Sequence, residues 1–408
     1  MPAFARIGYV SDYTVRVLRP DETREAADLF RTALLVPPLK DEEVPYAERM
    51  YQPGRALGAF DTELIGTARS FDAELTVPGG EPVPFAAVTG VGVRADRTRR
   101  GVLGRLMRAQ LTELAGRGVP LAALYASEGP IYGRFGYGVA TVVHDYQVER
   151  RRAVLRPEVP AGGEIELLRL DAAVERLPAL YAGLPRTRSG SMTRPAYWWP
   201  GMERTARQSD TPPVTIVHHG PNGPEGYAIY RVNRKSWQDP SILEVADLRA
   251  ATAEAFAGLW RYLLAVDLVD TIEAPGRPLD EPIPLLFADP RAAKVTGGGD
   301  DLWLRLVDVP AALAAREYEG EPVVLEVTDP VLTANSGRYR VGPEGVTRAE
   351  APAQLGLGVD ALAMLYFGAW AASALVTAGR IQVAGPDDAE RADRLFATRP
   401  PAWCGTHF

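Results

Sequence analysis

Apolar side chains recur along the first 150 residues with two different spacings. At residues 21–35, and again at residues 102–116, they fall on one face of a helix. Continuous runs of apolar, β-branched and small residues predict strands instead. Those runs lie at residues 62–70 and 74–77 (around a short turn), 85–93 and 120–125.

The rest of the chain continues this mixture. Helices are predicted at residues 171–182 and 253–268 and from near residues 359 and 387, and strands at residues 214–218, 226–232, 242–248, 302–306 and 323–327. A basic stretch rich in proline and glycine follows residue 150, and a glycine run precedes residue 300. We therefore predict three domains, at residues 1–152, 153–299 and 300–408.

The composition is that of an average globular protein. Of the 408 residues, 46% are hydrophobic and 24% are charged, which excludes a disordered chain, a collagen-like fibre and a small disulfide scaffold. The net charge of −7 disfavours non-specific binding to nucleic acid, so no nucleic-acid partner is expected.

Neither a metal site nor a membrane span is predicted. Cys404 is the single cysteine, and the four histidines show no ligand-like spacing. The longest apolar stretch, residues 361–376, is shorter than the roughly 18 residues of a membrane-spanning helix, and we predict that it is buried in a core. The first residues lack the pattern of a secretory signal, so the expected location is the cytoplasm.

The most informative stretch is residues 91–104, where a strand runs into a basic, glycine-containing loop that opens a long helix. The first N–H groups of a helix lack intrahelical partners and lie at the positive end of its dipole, so they can hold a pyrophosphate. Gly101 and Gly104 allow close approach, and Arg99 and Arg100 add positive charge. An ordinary loop with solvated arginines explains the same residues about equally well.

This loop resembles the acyl-CoA loop of the GNAT superfamily of N-acetyltransferases, which is written Gln/Arg-x-x-Gly-x-Gly/Ala. When Gly101 takes the first glycine position, Thr98 replaces Gln/Arg and Leu103 replaces Gly/Ala. The pattern is neither a nucleoside-triphosphate loop nor a dinucleotide fingerprint.

A second motif, Tyr-x-x-x-Gly-Tyr, begins at Tyr132 and resembles the tyrosine motif of the same superfamily. A buried aromatic cluster is the alternative, and we assign Tyr125 and Tyr137 to it. The whole run Ala-Ser-Glu-Gly-x-Ile-Tyr-Gly-Arg-Phe-Gly-Tyr-Gly, at residues 126–138, closely resembles the Eis (enhanced intracellular survival) family. Further stretches that resemble this family lie at residues 226–232, 245–250, 301–305 and 309–313.

The resemblance to the Eis family implies an α+β, mixed α/β fold of tandem GNAT-like domains and a C-terminal domain like sterol carrier protein. Each GNAT-like domain would be a mixed, mostly antiparallel sheet with helices on its faces. The first would be the catalytic acetyltransferase, the second would lack a cofactor site, and the end of the third would reach the active site. A homo-hexamer is also implied.

The resemblance implies the chemistry as well. Acetyl-CoA would donate its acetyl group to primary amines of a cationic acceptor, such as an aminoglycoside, a polyamine, a lysine or a peptide, at one or several positions. Tyr132 would be the general acid, and the C-terminal carboxylate of Phe408 would be the general base. The acetyl carbonyl and the rest of the cofactor would be held by Val91, Gly92, Val93, Arg99, Arg100, Gly101, Val102, Leu103, Gly104, Ser127 and Glu128.

A C-terminal base has a physical rationale. An α-carboxyl, with a pKa of about 3.3–3.7, is a weak base in water, but beside a cationic amine in a pocket it can accept a proton and attract the substrate. A frayed terminus is the alternative. The prolines at 400 and 401 and the aromatic Trp403 and Phe408 favour a docked tail.

Two other functions stay open at this point. One is a regulatory sensor that binds acyl-CoA without turnover, which the two mismatches in the loop favour. The other is a carrier of hydrophobic ligands through the third domain. The sequence does not identify the acceptor, and its acidic neighbours, or else ordinary solvated loop charges, are Asp41, Glu42, Glu43 and Asp72.

Overall fold

The computed structural model describes residues 13–408 apart from residues 235 and 237, so residues 1–12 of the first predicted domain lie outside it. These described residues form nineteen strands in three sheets. In chain order the strands are β1 (Thr14–Val17), β2 (Ala56–Phe60), β3 (Leu64–Thr76), β4 (Pro82–Val93), β5 (Leu121–Leu124), β6 (Gly138–Val139), β7 (Val142–Glu149), β8 (Glu164–Leu168), β9 (Val214–Gly220), β10 (Gly223–Asn233), β11 (Ile242–Ala250), β12 (Thr271–Pro278), β13 (Ala293–Asp300), β14 (Trp303–Leu306), β15 (Val323–Thr328), β16 (Gly337–Gly342), β17 (Gly345–Arg348), β18 (Leu355–Gly358) and β19 (Ile381–Val383).

The same part of the chain contains eleven α-helices. They are α1 (Thr23–Ala33), α2 (Val44–Arg49), α3 (Val102–Gly116), α4 (Gly129–Tyr132), α5 (Leu170–Gly183), α6 (Trp199–Gln208), α7 (Ala253–Ala265), α8 (Val309–Ala314), α9 (Val359–Tyr366), α10 (Ala372–Thr377) and α11 (Asp388–Leu395). No helix within residues 13–408, leaving aside 235 and 237, is long and apolar enough to cross a membrane.

The first sheet has the order β1-β2-β3-β4-β5-β14-β6 and is antiparallel except between β4 and β5. Helices α1 and α3 pack against β3 and β4, and α3 buries Leu106, Leu111 and Leu114 completely, as its apolar periodicity predicts. The predicted turn between residues 70 and 74 is wrong. Strand β3 is unbroken there because Ser70 to Thr76 all pair with β4.

The second sheet has the order β13-β7-β12-β11-β10-β9-β8, with β11 and β12 parallel. Helix α7 lies against β9, β10 and β11 and buries Leu259, Trp260 and Leu263 completely. The strands predicted at residues 214–218, 226–232 and 242–248 are confirmed as β9, β10 and β11.

Two strands belong to a sheet that lies mainly in a different predicted domain. Strand β7, from residues 1–152, pairs with β12 and β13 of the second sheet, whereas β14, from residues 300–408, pairs with β5 and β6 of the first. Each of the first two sheets is thus completed by a strand from across a predicted boundary. The boundaries themselves stay a prediction.

The third sheet has the order β17-β16-β15-β18-β19, with β15 and β18 parallel. One hydrophobic core continues from the first sheet into the third, since Leu304 on β14, Leu325 on β15 and Leu362 on α9 are all fully buried within it. The first part of the apolar stretch at residues 361–376 is core, as predicted, but of residues 368–376 only Ala372 and Leu375 are buried.

The last thirteen residues, 396–408, leave the third sheet and run back to the other two. The backbone N–H of Trp403 donates to the carbonyl of Ser189, and its indole Nε1 donates to the carbonyl of Gly276, both at 2.8 Å. The chain ends at the first sheet, where the ring of Phe408 packs against Phe71 on β3 and Phe85 on β4.

Candidate functional site

The parallel strands β4 and β5 open into a cleft. They pair at only three positions, from Phe85–Leu121 to Ala87–Ala123, and then separate. A cavity of about 200 Å³ lies between residues 88–91 and 124–127, and we call it the inner cavity.

A bulge in β4 shapes one wall of the inner cavity. The pairing with β3 shifts between Thr67 and Arg69, so Gly90 and Val91 together oppose one residue and leave the regular ladder. Gly90 has a φ of +61°, which favours glycine, and a Cβ there would lie 2.8 Å from Cγ of Arg69. The bulge therefore requires glycine on both conformational and steric grounds.

Four of the predicted site residues line the inner cavity: Val91, Ser127, Tyr132 and Phe408. The other nine are not part of its lining: Gly92, Val93, Glu128 and the six residues 99–104 of the basic loop and helix start. Gly92 and Val93 pair with β3, and Glu128 is exposed to solvent. The structure thus brings the predicted acid, Tyr132, and the predicted base, Phe408, to one cavity.

Tyr132 ends the short helix α4 and is only 5% exposed. Burial raises the pKa of its hydroxyl above the usual 10, with Ser127 opposing this shift by a hydrogen bond and the charge of Glu128 reinforcing it. Because its pKa lies above 10, the hydroxyl keeps its proton at neutral pH and is available as an acid.

The arginines of the basic loop before α3 differ in whether they form ion pairs. Arg94 and Arg97 form ion pairs with neighbouring acids, Asp96 among them. Arg99 and Arg100 are exposed, and no carboxylate of the described residues lies within 4 Å of either. The loop therefore presents two positive charges that its own acids do not neutralise.

Helix α3 starts immediately after Gly101, whose φ is +82°. The first helical hydrogen bond runs from the N–H of Arg105 to the carbonyl of Gly101 at 3.0 Å, so the N–H groups of residues 102–104 have no intrahelical acceptor. Nothing lies within 4 Å of a Cβ built at Gly104. This helix start is open, basic and uncapped.

Two arginines hold the C-terminal tail: Arg249 on β11, and Arg194 in the segment between α5 and α6. Nε of Arg194 and Nη2 of Arg249 each donate to Oγ1 of Thr406 at 3.1 Å, and Arg249 also donates to the carbonyl of Gly405. Both arginines pair with Asp247. Burial opposes ionisation of Asp247, but the two guanidiniums hold its pKa well below the usual range.

The final residues are also held by Tyr125, which follows β5, and by Trp198, which precedes α6. Tyr125 donates from its hydroxyl to the carbonyl of Thr406 at 2.9 Å, and Trp198 donates from Nε1 to the carbonyl of His407 at 2.8 Å. The rings of Phe408 and Tyr125 pack edge to face at 5.1 Å. The tail is docked rather than frayed, which favours the first of the two sequence-based alternatives.

Phe408 lies between the inner cavity and a second one. That outer cavity, of about 300 Å³, is bounded by β3, the segment 194–213, β10, β11 and the tail, and Phe408 and His407 line both cavities. Within the described chain, no Lys, Arg or His nitrogen lies within 4 Å of the terminal carboxylate of Phe408. That carboxylate is therefore not neutralised by an ion pair.

The acidic residues considered from the sequence line neither cavity. Asp41 pairs with Arg24, Glu42 lies near Lys40, Glu43 accepts from the backbone of Lys40, and Asp72 pairs with Arg55 and Arg117. Asp41 and Glu42 are exposed, as the alternative of solvated loop charges predicts, whereas Glu43 is buried and Asp72 lies on β3.

Sequence reasoning missed several residues of the site. Tyr125 was placed in an aromatic cluster, yet it lines the inner cavity and holds the tail. Arg69, Arg194 and Arg249 received no role. A signal was present for Arg69, because it lies inside the predicted strand 62–70, whereas Arg249 directly follows the predicted strand 242–248 and Arg194 lies in no predicted element.

Asp301, between β13 and β14, is another residue to which the sequence analysis assigns no role, and its titration gives a prediction. Burial raises its pKa from 3.8 to about 6, against the opposing hydrogen bond from Thr141 and the charge of Arg249. A raised carboxyl pKa favours folding at low pH, and this contribution is lost as the pH rises from about 4 to about 6.

Replacing Asp301 with asparagine removes this titration and keeps an acceptor for Thr141. The free energy of unfolding of Asp301→Asn, relative to wild type, is expected to rise by about 1–2 kcal/mol between pH 5 and pH 7. Urea denaturation at both pH values measures it. A difference that does not change with pH would show that Asp301 titrates normally.

Comparison with known proteins identifies the class. Two acetyltransferase (GNAT) domain families match residues 14–140 and 190–306, and the sterol carrier protein domain family matches residues 309–405. The chain is similar to the N-acetyltransferase Eis of Mycobacterium tuberculosis (strain ATCC 25177 / H37Ra), with 37% identity over 362 residues that cover 85% of this chain and 86% of that protein. An uncharacterized N-acetyltransferase from Streptomyces avermitilis is 35% identical and covers 96% of this chain and 98% of its own length.

Solved structures agree with this assignment. The crystal structure of Eis1 from Mycobacterium abscessus superposes with a TM-score of 0.89 at 40% identity, covering 97% of this chain and 100% of that one. A GCN5-related N-acetyltransferase from Anabaena variabilis, at 20% identity and a TM-score of 0.83, shares the fold. The protein is therefore a GNAT N-acetyltransferase, a class that uses acetyl-CoA, with two GNAT domains and a sterol-carrier-like domain. It belongs to the Eis family.

Proposed function

We propose that this chain transfers the acetyl group of acetyl-CoA to a primary amine that binds in the outer cavity. The observation that carries the proposal is that Phe408 lines both cavities while Tyr132 lines the inner one. Transfer from a thioester to an amine needs one group that takes a proton from nitrogen and another that gives a proton to sulfur. A carboxylate and a buried, protonated tyrosine fit these two tasks.

Acetyl-CoA, when bound, supplies an acetyl group activated as a thioester. We assign its phosphates to Arg99 and Arg100 and to the N–H groups of Val102, Leu103 and Gly104, which begin α3 without a cap. Gly101 gives the loop its left-handed turn. Ser127, which lines the inner cavity, and the neighbouring Glu128 complete the predicted cofactor residues.

The second GNAT domain is expected to bind no acetyl-CoA, which gives one site per chain. The start of its helix α7 differs from that of α3, since the side chain of Thr252 caps it by accepting from the N–H of Ala255 at 3.1 Å. The Thr252 hydroxyl in turn donates to Glu225 at 3.0 Å, which places a negative charge beside the helix start. Both contacts disfavour a phosphate there.

The chain's own groups account for the proton transfers. The carboxylate of Phe408 takes a proton from the amine nitrogen as the N–C bond forms, and the hydroxyl of Tyr132 gives its proton to sulfur as the C–S bond breaks. Of the three strand residues predicted to hold the acetyl carbonyl, we assign the contact to Val91, because it lies in the bulge and lines the inner cavity, whereas Gly92 and Val93 pair with β3.

Several finer expectations stay predictions: the domain boundaries at 152 and 299, the hexamer and the cytoplasmic location. Aminoglycosides, polyamines, lysines and peptides are the acceptors that the resemblance implies. Release of CoA thiol from acetyl-CoA, measured with a panel of primary amines, tests the function. Release that depends on the amine supports acetyl transfer. Binding of acetyl-CoA without release would instead indicate a regulatory sensor. If acetyl-CoA did not bind at all, the carrier of hydrophobic ligands would be the remaining function.

Arg99→Gln combined with Arg100→Gln is expected to weaken acetyl-CoA binding by roughly 10–100-fold, since charge-assisted hydrogen bonds contribute about 1.5–3 kcal/mol. Calorimetric titration measures the dissociation constant and the number of sites per chain. Arg97→Gln is the matched control, because Arg97 pairs with Asp61 and Asp96 in the same loop and is expected to leave binding within a few fold. Equal affinities in the two variants, or two sites per chain, would contradict the assignment.

A further inference from the structure

The outer cavity has a buried positive charge that no side-chain carboxylate balances. Arg69 lies on β3, is 8% exposed and lines this cavity. Its Nη1 donates to the carbonyl of Met50 at 2.7 Å, and its guanidinium lies 5.0 Å from the ring of Tyr51. In the described part of the chain, no carboxylate oxygen lies within 4 Å of it, and burial and the charge of Arg204 lower its pKa.

The other charges of the outer cavity do not compensate for Arg69. Asp247 is the one acidic side chain among the described residues that line it, and it is already paired with Arg194 and Arg249. Arg231 also lines the cavity, with Glu244 at 3.4 Å, and its buried Nε has no hydrogen-bond partner in the described chain. Apart from the terminal carboxylate of Phe408, the wall is positive.

The remaining wall is apolar and aromatic. Phe71, Tyr197, Trp198, Met202 and Ile229 line the cavity around the two arginines. A volume of about 300 Å³ is at the small end of ligand sites and suits a single ring better than a large polycation. A guanidinium buried without a counter-ion is costly, and an anionic ligand relieves that cost.

We propose that the acceptor is a small primary amine with an aromatic body and a carboxylate, and that Arg69 binds the carboxylate. This inference rests on the proposed acetyl transfer and specifies its acceptor. The aromatic body lies among the rings of the outer cavity, and the amine points towards Phe408. Polyamines and aminoglycosides are then poor acceptors, because Arg69 and Arg231 repel their additional ammonium groups.

Three amines of one shape test this proposal. They are 4-(aminomethyl)benzoate, benzylamine and 1,4-bis(aminomethyl)benzene, which place a negative, a neutral and a positive group opposite the reacting amine. The value of kcat/KM, measured from thiol release, is expected to be highest for 4-(aminomethyl)benzoate, lower for benzylamine and lowest for the diamine. The benzoate is expected to exceed benzylamine by roughly 10–100-fold, the range of a charge-assisted hydrogen bond. Equal values, or a preference for the diamine, would overturn the proposal.

Two variants assign the preference to Arg69. In Arg69→Met the ratio of kcat/KM for the benzoate to that for benzylamine is expected to fall to about one. Arg49→Met, at an exposed arginine that pairs with Glu203 next to the cavity, is expected to keep the wild-type ratio. Loss of the preference in both variants, or in neither, contradicts the role of Arg69. If Arg69→Met does not fold, the wild-type order decides alone.

Failure of the proposed function is recognised separately. Dissociation constants of the three amines, measured by calorimetry with CoA-saturated enzyme, follow the same expected order without any turnover. If thiol release stayed at background with every amine, the proposed acetyl transfer would be contradicted, and the dissociation constants would still show whether the cavity prefers an anionic ligand. If the amines were turned over but the diamine bound most tightly, acetyl transfer would be supported and the carboxylate-bearing acceptor would be contradicted.

Discussion

Replacing Tyr132 with phenylalanine is expected to lower kcat by about 10²–10⁴-fold, the range for loss of a general acid. The change removes one hydroxyl and keeps the ring, which packs at 6.1 Å from the ring of Tyr137. The dissociation constant of acetyl-CoA and the melting temperature are therefore expected to stay near their wild-type values. Stopped-flow thiol release, calorimetry and thermal denaturation measure the three quantities.

Tyr137→Phe is the matched control. The Tyr137 ring is in the same cluster, and its hydroxyl is buried without a hydrogen-bond partner among the described residues. Its removal is expected to leave kcat unchanged and to stabilise the fold slightly, since an unsatisfied buried polar group is lost. Similar rates for Tyr132→Phe and wild type would return Tyr132 to a purely structural aromatic cluster.

Neutralising the terminal carboxylate of Phe408 is expected to have a comparable effect on kcat. A C-terminal amide differs from the acid by one charge and almost no volume, so acetyl-CoA binding and the docking of the tail are expected to persist. If the carboxylate takes the proton from the amine, kcat falls by about 10²–10⁴-fold. An extension of a few residues moves the charge away and is expected to act in the same direction.

The position of the single cysteine makes the amide accessible. Cys404 is followed by four residues, so ligation of the peptide Cys-Gly-Thr-His-Phe, as acid or amide, to residues 1–403 gives the full chain after refolding. The ligated acid is the control for refolding and is expected to match the expressed protein. An amide with the activity of the acid would falsify the role of Phe408, and a base would then have to be sought elsewhere in the cavity.

The tail also shows why this site was only partly predictable. The hydrogen bonds from Arg194 and Arg249 reach residues 404–406, more than 150 positions further along the chain. Periodicity and local motifs contain no information about such partners. The role of Phe408 in the sequence analysis came from a family resemblance, and only the tertiary structure shows which side chains dock the tail.

The sequence by itself determined what depends on neighbours along the chain. The apolar faces of α1 and α3 follow from helical spacing, and the uncapped start of α3 follows from Gly101, since both are set within a few residues. The motif around Tyr132 identified the family for the same reason. These features were confirmed where the structure or the comparisons test them.

Tertiary structure decided what depends on pairing across long separations. Strand β3 continues through a predicted turn because β4 pairs with it, and β7 and β14 complete sheets outside their predicted segments because strand edges pair through backbone groups that every residue carries. The unbalanced charge of Arg69 also depends on residues that are distant in the sequence. Whether an arginine is neutralised depends on which carboxylates the fold brings within a few ångströms, and the order of residues does not state that.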